Sequence, residues 1–542
     1  MDHTRIVVEP RNASLESGVP LQAGTLPDPE EGVFATASGA PSAYQQQRDL
    51  LTVARGGSIA FAGEAATRIL HWVYSTALIW GLGPESYGMY TLAFTVVSFV
   101  GVIANLGLSQ GIVRFGAINA RDEGLDGIHR ATMAGLRIAL PVGLAITLGL
   151  LWSADFVAAS VFHKPELAPL LRALGLSVPL ISVQASLLAG TMARKIMRYA
   201  SIVLIVQPLA ALLLAIPLMA LGYGAQAVAW AFLASYVMGV VLALYYYLRL
   251  IPPQHRTRQG FSLRQMLTFS LPLALNNLIN YTNQRTEVFF LGLLPGAIPV
   301  GIYNIAWSIS GTETMFVQSL SMIISPFSSD LSHRRALGQL ESLYKATAKW
   351  AFTGALMAFL VFLFSAPTIM SVFDPAYVAG AGVLIALSFA RLFSAATGPA
   401  GTVLIMSGRS DLSLLNTIVL FATSIGLDWF LIPRYGLAGA GLAGALTVIL
   451  AELLRVVEVW LTLKIHPFTW SFVKPIVAGL VGLAVVYALR TAVGLRSLWI
   501  EMACWAVFAF IYLAIIYLLK LDAADALVMR AVRNRIPWPK RA

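Results

Sequence analysis

Glu64, Arg68, His71 and Ser75 lie in an apolar stretch at spacings that bring them onto one face of a helix. Asn276, Asn280, Asn283 and Glu287 do the same in a second apolar stretch. The two sets correspond at a spacing of 212 residues. A weaker pair of sets, Thr91, Thr95 and Asn105 against Asn304, Ser308 and Gln318, corresponds at 213. A charge at mid-bilayer costs at least about 2.5–3.5 kcal/mol, so such faces should avoid lipid. Two matched polar faces would most simply line one aqueous cavity. The other reading is hydrogen-bond glue between helices, with Glu64 and Arg68 a local ion pair. Arg391, in another apolar run, is a further candidate for the cavity. Arg285 should point away from the second stripe, and Glu452, Arg455 and Glu458 read as an interfacial group at a helix end.

Bond-making chemistry finds no support in the motifs. The phosphate-loop pattern is absent, as are the His-Glu-x-x-His helix and the Gly-x-Ser-x-Gly elbow. Cys504 is the only cysteine, which excludes disulfides within the chain and cysteine metal sites. No metal, no cofactor and no enzymatic activity is expected.

The elements that must carry these faces are membrane helices. Of 542 residues, 58% are hydrophobic and 12% charged, and mean hydropathy is +0.75. Too little polar surface remains to cover a globule in water. Apolar runs able to cross about 30 Å of hydrocarbon occupy 57–80, 87–116, 131–153, 167–190, 200–221, 225–248, 266–294, 301–327, 349–370, 378–406, 412–432, 439–463, 472–489 and 497–519. The fold class is therefore an all-α polytopic membrane protein with about 14 transmembrane helices. Residues 1–55 read as a disordered polar tail without the pattern of a signal peptide. The segments 328–345 and 521–533 could lie as amphipathic helices on the inner leaflet or be charged solvated loops.

The net charge of +11 is written in alternate loops and needs no nucleic acid. Arg121 and Arg130, Arg194 to Arg198, Arg249 to Arg264, Arg334 to Lys345, Arg409, Lys464 with Lys474 and the C-terminal tail form one set. The other set carries only Lys164, Arg172, Arg434, Arg490 and Arg496. By the positive-inside rule both termini are cytoplasmic. Gly88-Met89-Tyr90 returns as Gly301-Ile302-Tyr303, Ser160-Val161-Phe162 as Ser371-Val372-Phe373, and Tyr223-Gly224 as Tyr435-Gly436. A six-helix unit repeated in one orientation gives two parallel lobes. The expected organisation is a cytoplasmic tail (1–55), an N-lobe of six helices (56–250), a linker (251–265) and a C-lobe of six helices (266–464). Two further helices (465–520) and a basic cytoplasmic tail (521–542) follow.

Gly81-Leu82-Gly83-Pro84-Glu85-Ser86-Tyr87-Gly88-Met89-Tyr90 with Asn105-Leu106-Gly107-Leu108-Ser109 resembles the opening hairpin of bacterial polysaccharide flippases. Ser270-Leu271-Pro272, Leu291-Gly292 and Val300-Gly301-Ile302-Tyr303 resemble the start of their second lobe, and Ile432 to Ala440 their later helical turn. The resemblance is to the polysaccharide transporter or O-antigen flippase branch of the multidrug/oligosaccharidyl-lipid/polysaccharide exporter superfamily. It implies a multi-pass protein of the bacterial inner membrane that moves a polyprenyl-pyrophosphate-linked oligosaccharide outward by alternating access. Its partners would be the bilayer, the lipid-linked oligosaccharide, and polysaccharide polymerase and glycosyltransferases. On that reading Arg68 would hold the pyrophosphate and Asn276, Asn280 and Asn283 would meet sugar hydroxyls. Glu64, His71, Asn105, Glu287, Gln318 and Arg391 would complete the lining. Gln284-Arg285-Thr286-Glu287 departs from the Asp-containing segment of many relatives. A cation-coupled drug antiporter of the same superfamily and a membrane-embedded polysaccharide polymerase or ligase are the alternatives. The second would need a large outer loop, and the loops here are short.

Overall fold

The computed structural model describes residue 70 and residues 72–252, 261–493 and 498–518. The two terminal tails, residues 253–260 of the linker and the polar residues Glu64, Arg68 and His71 lie outside the described residues. Among the described residues every regular element is helical, with no strand.

Residues 72–82 form α1, which turns at Gly83 (φ 76°) into α2 (Pro84–Asn105). Proline fits there because a first-turn N–H has no partner within its own helix. The left-handed residues Leu106 and Gly107 separate α2 from α3 (Leu108–Glu123). Then come α4 (Leu125–Phe156), α5 (Leu167–Gly175), α6 (Val178–Ala193), α7 (Arg198–Ala220) and α8 (Gly224–Leu250). The later half holds α9 (Leu263–Asn283), α10 (Thr286–Gly292), α11 (Ile298–Ser310), α12 (Thr314–His333), α13 (Leu337–Ser371), α14 (Ala381–Thr397), α15 (Ala400–Met406) and α16 (Ser410–Leu463). Last are α17 (Val473–Val493) and α18 (Leu498–Leu518).

A straight α16 would measure about 80 Å, far beyond a bilayer core. It is a hairpin. Gly436 takes φ 56° and ψ −127° inside it. A Cβ on Gly439 would stand 2.3 Å from the Leu431 carbonyl oxygen, although residues so far apart in a straight helix are about 12 Å distant. The legs, 410–435 and 437–463, match two expected spans.

Ten helical segments among the described residues are long and apolar enough to cross a membrane. The first expected span starts outside the described residues. The helices at 266–294 and 301–327 are not among the ten: α9 and α12 are 21 and 20 residues long but rich in Asn, Ser and Gln. Both spans are also interrupted, by Gln284 and Arg285 between α9 and α10 and by a 3₁₀ turn, Gly311–Glu313, between α11 and α12. The segment 328–345 is instead a tight helical hairpin. There α12 continues to His333, Arg335 turns with φ 56°, and α13 begins at Leu337. Each flank carries its own i,i+4 ion pair, Arg334–Asp330 at 2.9 Å and Lys345–Glu341 at 2.7 Å, which adds a few tenths of a kcal/mol to its helix.

Helices α2 to α8 pack on one another, and so do α9 to α16. The seam between these groups is formed mainly by α2 and α3 against α9, α10 and α11. At its tightest point the repeated motif meets its own copy. A Cβ on Gly88 would lie 2.0 Å from the Ala297 carbonyl oxygen, and a Cβ on Gly301 would lie 3.5 Å from the Cα of Gly88. Only residues without side chains allow backbones to approach so closely. Helices α17 and α18 contact α13. Trp505 Nε1 donates to Ser365 Oγ at 2.7 Å and the Tyr512 hydroxyl to the Thr353 carbonyl at 2.8 Å.

Candidate functional site

The sequence stripe on α9 is partly open. Asn276 and Asn283 are half-buried and Asn280 is exposed. Asn280 Nδ2 donates to the Asn276 carbonyl at 2.9 Å, and Asn283 Nδ2 reaches the Thr417 carbonyl on α16 at 3.5 Å. The stripe does not continue to Glu287. The break at Gln284 and Arg285 puts Glu287 on α10, where it is buried. One helix face for all four residues is therefore not what forms, because the break removes the register between Asn283 and Glu287. Asn105 ends α2 and shares a 3.3 Å contact with Ser109 Oγ. Gln318 is exposed on α12. Arg285 Nη1 donates to Asn304 Oδ1 at 2.9 Å and the guanidinium lies 4.6 Å from the Trp307 ring centre, so it faces α11 rather than the stripe.

Glu287 belongs to a different constellation. Its Oε1 and the Tyr303 hydroxyl each come within 2.9 Å of where a Cβ on Gly444 would stand. Asp428, on α16, is near enough for its charge to act on Glu287. Asp428 is fully buried, and among the described residues neither of its carboxyl oxygens has a hydrogen-bond partner. Glu313 is also fully buried. Ser388 Oγ donates to its Oε1, while Oε2 is unpartnered among the described residues. The half-buried Arg391 on α14 acts on both Glu287 and Glu313. Arg391 thus lies close enough to Glu287 for their charges to interact.

The sequence analysis missed Asp428, Glu313 and Tyr303. Asp428 and Glu313 stand in apolar runs, where acids are a usable signal, but neither has a polar counterpart in the first repeat; Tyr303 enters the sequence reading only as part of the motif it shares with Tyr90. Glu452 makes the pair with Arg455 expected of it and has further partners. It is buried, accepts from Ser394 Oγ at 3.0 Å and Thr397 Oγ1 at 3.1 Å, and pairs with Arg455 at 2.7 Å. These bonds from the last turn of α14 bury it.

Polar bonds stitch the seam at the end expected to face outward. The Ala297 N–H donates to Glu85 Oε1 at 2.7 Å, and Asn304 Nδ2 donates to the Tyr87 hydroxyl at 3.1 Å. Trp80 Nε1 donates to the Val372 carbonyl at 3.0 Å. Lys164, buried between α4 and α5, donates to the Gly292 and Leu294 carbonyls at 2.6 and 2.7 Å. These are carbonyls that the end of α10 leaves open. Burial draws the Lys164 ammonium below the ordinary lysine value, and the Glu85 charge opposes that shift.

The exposure of Asn280 has a direct check. In a background with Cys504 replaced by alanine, Asn280→Cys should react with a small charged thiol reagent in membranes. Ser270→Cys, fully buried on the same helix, should not. Equal labelling would remove the open face.

Residues 53–332, more than half of the chain, match the family model described as "Polysaccharide biosynthesis protein". The chain belongs to this family. It is 28% identical over 294 residues to the succinoglycan biosynthesis transport protein ExoT of Rhizobium meliloti (strain 1021), covering 52% of this chain and 55% of that one. It is 24% identical over 221 residues to the capsular polysaccharide biosynthesis protein CapF of Staphylococcus aureus, covering 40% and 53%. The chain spans about half the length of these curated relatives. Among solved structures, the lipid II flippase MurJ in an inward closed conformation aligns with TM-score 0.69 at 14% identity, over 88% of this chain and all of that one. An inward-facing multidrug resistance MATE family transporter of the MOP superfamily aligns with TM-score 0.63 at 19% identity, over 73% and 94%. At such identities the likeness speaks for the fold: this family member has the fold of these membrane transporters and flippases.

Proposed function

We propose that this chain is a flippase that carries a polyprenyl-pyrophosphate-linked oligosaccharide from the cytoplasmic to the outer leaflet of a bacterial inner membrane, for surface polysaccharide synthesis. The observation that carries the reading is α9. A helix at the seam of a bundle in this family leaves carboxamides open, and carboxamides bind sugar hydroxyls without any bond being broken. The names of the relatives, which concern polysaccharide transport, polysaccharide biosynthesis and lipid flipping, support it.

In this proposal about fourteen helices form two parallel six-helix lobes, 56–250 and 266–464, with two added helices and both termini in the cytoplasm. The lobes rock about the seam, and no catalysis is involved. Asn276, Asn280, Asn283, Asn105 and Gln318 serve the sugar. Glu64, Arg68 and His71 face it from the first helix, with Arg68 on the diphosphate. The buried carboxyls Glu287, Glu313 and Asp428, with Arg391, couple the movement to a proton or cation gradient. Polysaccharide polymerase and glycosyltransferases act beside it.

Arg68 tests the proposal. In a strain lacking the native gene, Arg68→Ala should abolish surface polysaccharide while the protein still accumulates. Arg68→Lys should keep part of it, since the charge stays and the bidentate fork is lost. Replacing Glu64 and Arg68 together by leucine should also abolish it. Full activity in that double variant would mean the two only pair with each other, and the proposed diphosphate site would fall.

A further inference from the structure

A cleft of about 610 Å³ opens between α3 and the first turns of α9. Its walls include Arg114 on one side and Ser262, Arg264, Gln265, Thr268 and Phe269 on the other. No acidic residue lines it, and among the described residues neither guanidinium has an acidic partner. Both arginines are exposed. Arg114 is not loose: its guanidinium lies 4.4 Å from the centre of the Phe269 ring, which orients the plane and leaves its N–H edges free. The Ser262 side chain caps α9 by accepting from the Gln265 N–H. That leaves the other N–H groups at the start of α9, with the positive end of the helix dipole, beside the two guanidiniums. Behind them the Phe115 ring packs on Phe269 at 5.4 Å and on Phe261 at 5.1 Å.

We propose that this cleft binds the phosphate of a membrane lipid headgroup. Guanidiniums and a helix N-terminus are the donors that phosphate oxygens need. The aromatic wall beside them suits the apolar chain of a lipid and has nothing to offer a free anion. The position agrees, since α9 starts directly after the polar linker, where a helix leaves the headgroup layer. Because α3 and α9 belong to opposite sides of the seam, a headgroup held by both favours the arrangement in which they touch. The inference does not rest on the cargo proposed above, because it is read from binding and not from transport.

The test uses the full chain, purified in detergent, stripped of lipid and examined by native mass spectrometry. The probes are phosphatidylglycerol, a polyprenyl diphosphate, diacylglycerol and inorganic pyrophosphate. The wild type should retain the phosphate-bearing lipids and not diacylglycerol. The Arg114→Gln/Arg264→Gln variant should retain them about tenfold less or worse, the loss of at least one charge-assisted hydrogen bond. Arg114→Lys/Arg264→Lys should recover part of the binding, and Arg434→Gln should match the wild type. All variants are compared as monodisperse peaks in size exclusion. A preference for polyprenyl diphosphate would identify the ligand as a carrier lipid, and equal retention of phosphatidylglycerol would identify bulk anionic lipid. Either result supports the site. Undiminished retention by the glutamine variant overturns it, as does binding of pyrophosphate with no lipid retained.

Discussion

Replacing Gly88 with alanine should destabilise the protein, and replacing it with leucine should leave little folded protein and no surface polysaccharide. The obstacle is backbone: the added Cβ would meet the Ala297 carbonyl oxygen at 2.0 Å. Overpacking against yielding side chains costs about 1–3 kcal/mol. Here the helices themselves must part, so leucine should exceed that range. Gly101 on the same helix is the control, because the nearest atom to its added Cβ is Ile181 Cδ1 at 3.8 Å. Alanine there should be neutral or gain up to about 1 kcal/mol from helix propensity. Thermal unfolding of the detergent-purified variants gives the comparison. A Gly88→Ala protein that melts with the Gly101→Ala protein would show that the seam does not close this tightly.

Asp428 should separate stability from activity. A buried carboxyl with two unpartnered oxygens costs about 1–3 kcal/mol relative to a satisfied or apolar group. Asp428→Leu should therefore melt at a higher temperature than the wild type. The same variant should lose at least about tenfold in surface polysaccharide if the carboxyl binds and releases a cation or proton during the cycle. Asp428→Asn, which keeps the volume and drops the charge, should be as inactive without the gain in stability. A leucine variant with wild-type polysaccharide would remove the carboxyl cluster from the transport cycle.

Helices were readable wherever apolar length alone decides them, as in α4, α7, α8 and α13. The two legs of α16 were readable because Pro433 and Gly436 interrupt an apolar run. The break before Glu287 was not, since Gln284 and Arg285 are ordinary helix formers and the interruption is imposed by packing. The open face of α9 was visible because asparagines in an apolar run are costly and recur at helical spacing. Asp428 and Glu313 went unnoticed for a different reason. They have no polar match across the repeat, and their setting depends on neighbours from three other segments of the later half, α10, α11 and α14. The motif shared by Gly88 and Gly301 was legible as a repetition. That the copies touch is a property of the assembled bundle, which no spacing along the chain can express.

That contact has a mechanical consequence. Gly88 lies about 6 Å along the axis from the start of α2 and about 25 Å from its end at Asn105, at 1.5 Å per residue. If one half swings on the other about this point, the helix acts as a lever with unequal arms. A parting of about 1 Å at the short arm, enough to break the bonds of Glu85 and Lys164, becomes about 4 Å at the long arm. Short hydrogen bonds at one end can thus govern a large displacement at the other, and small strengthening of those bonds should slow the whole swing.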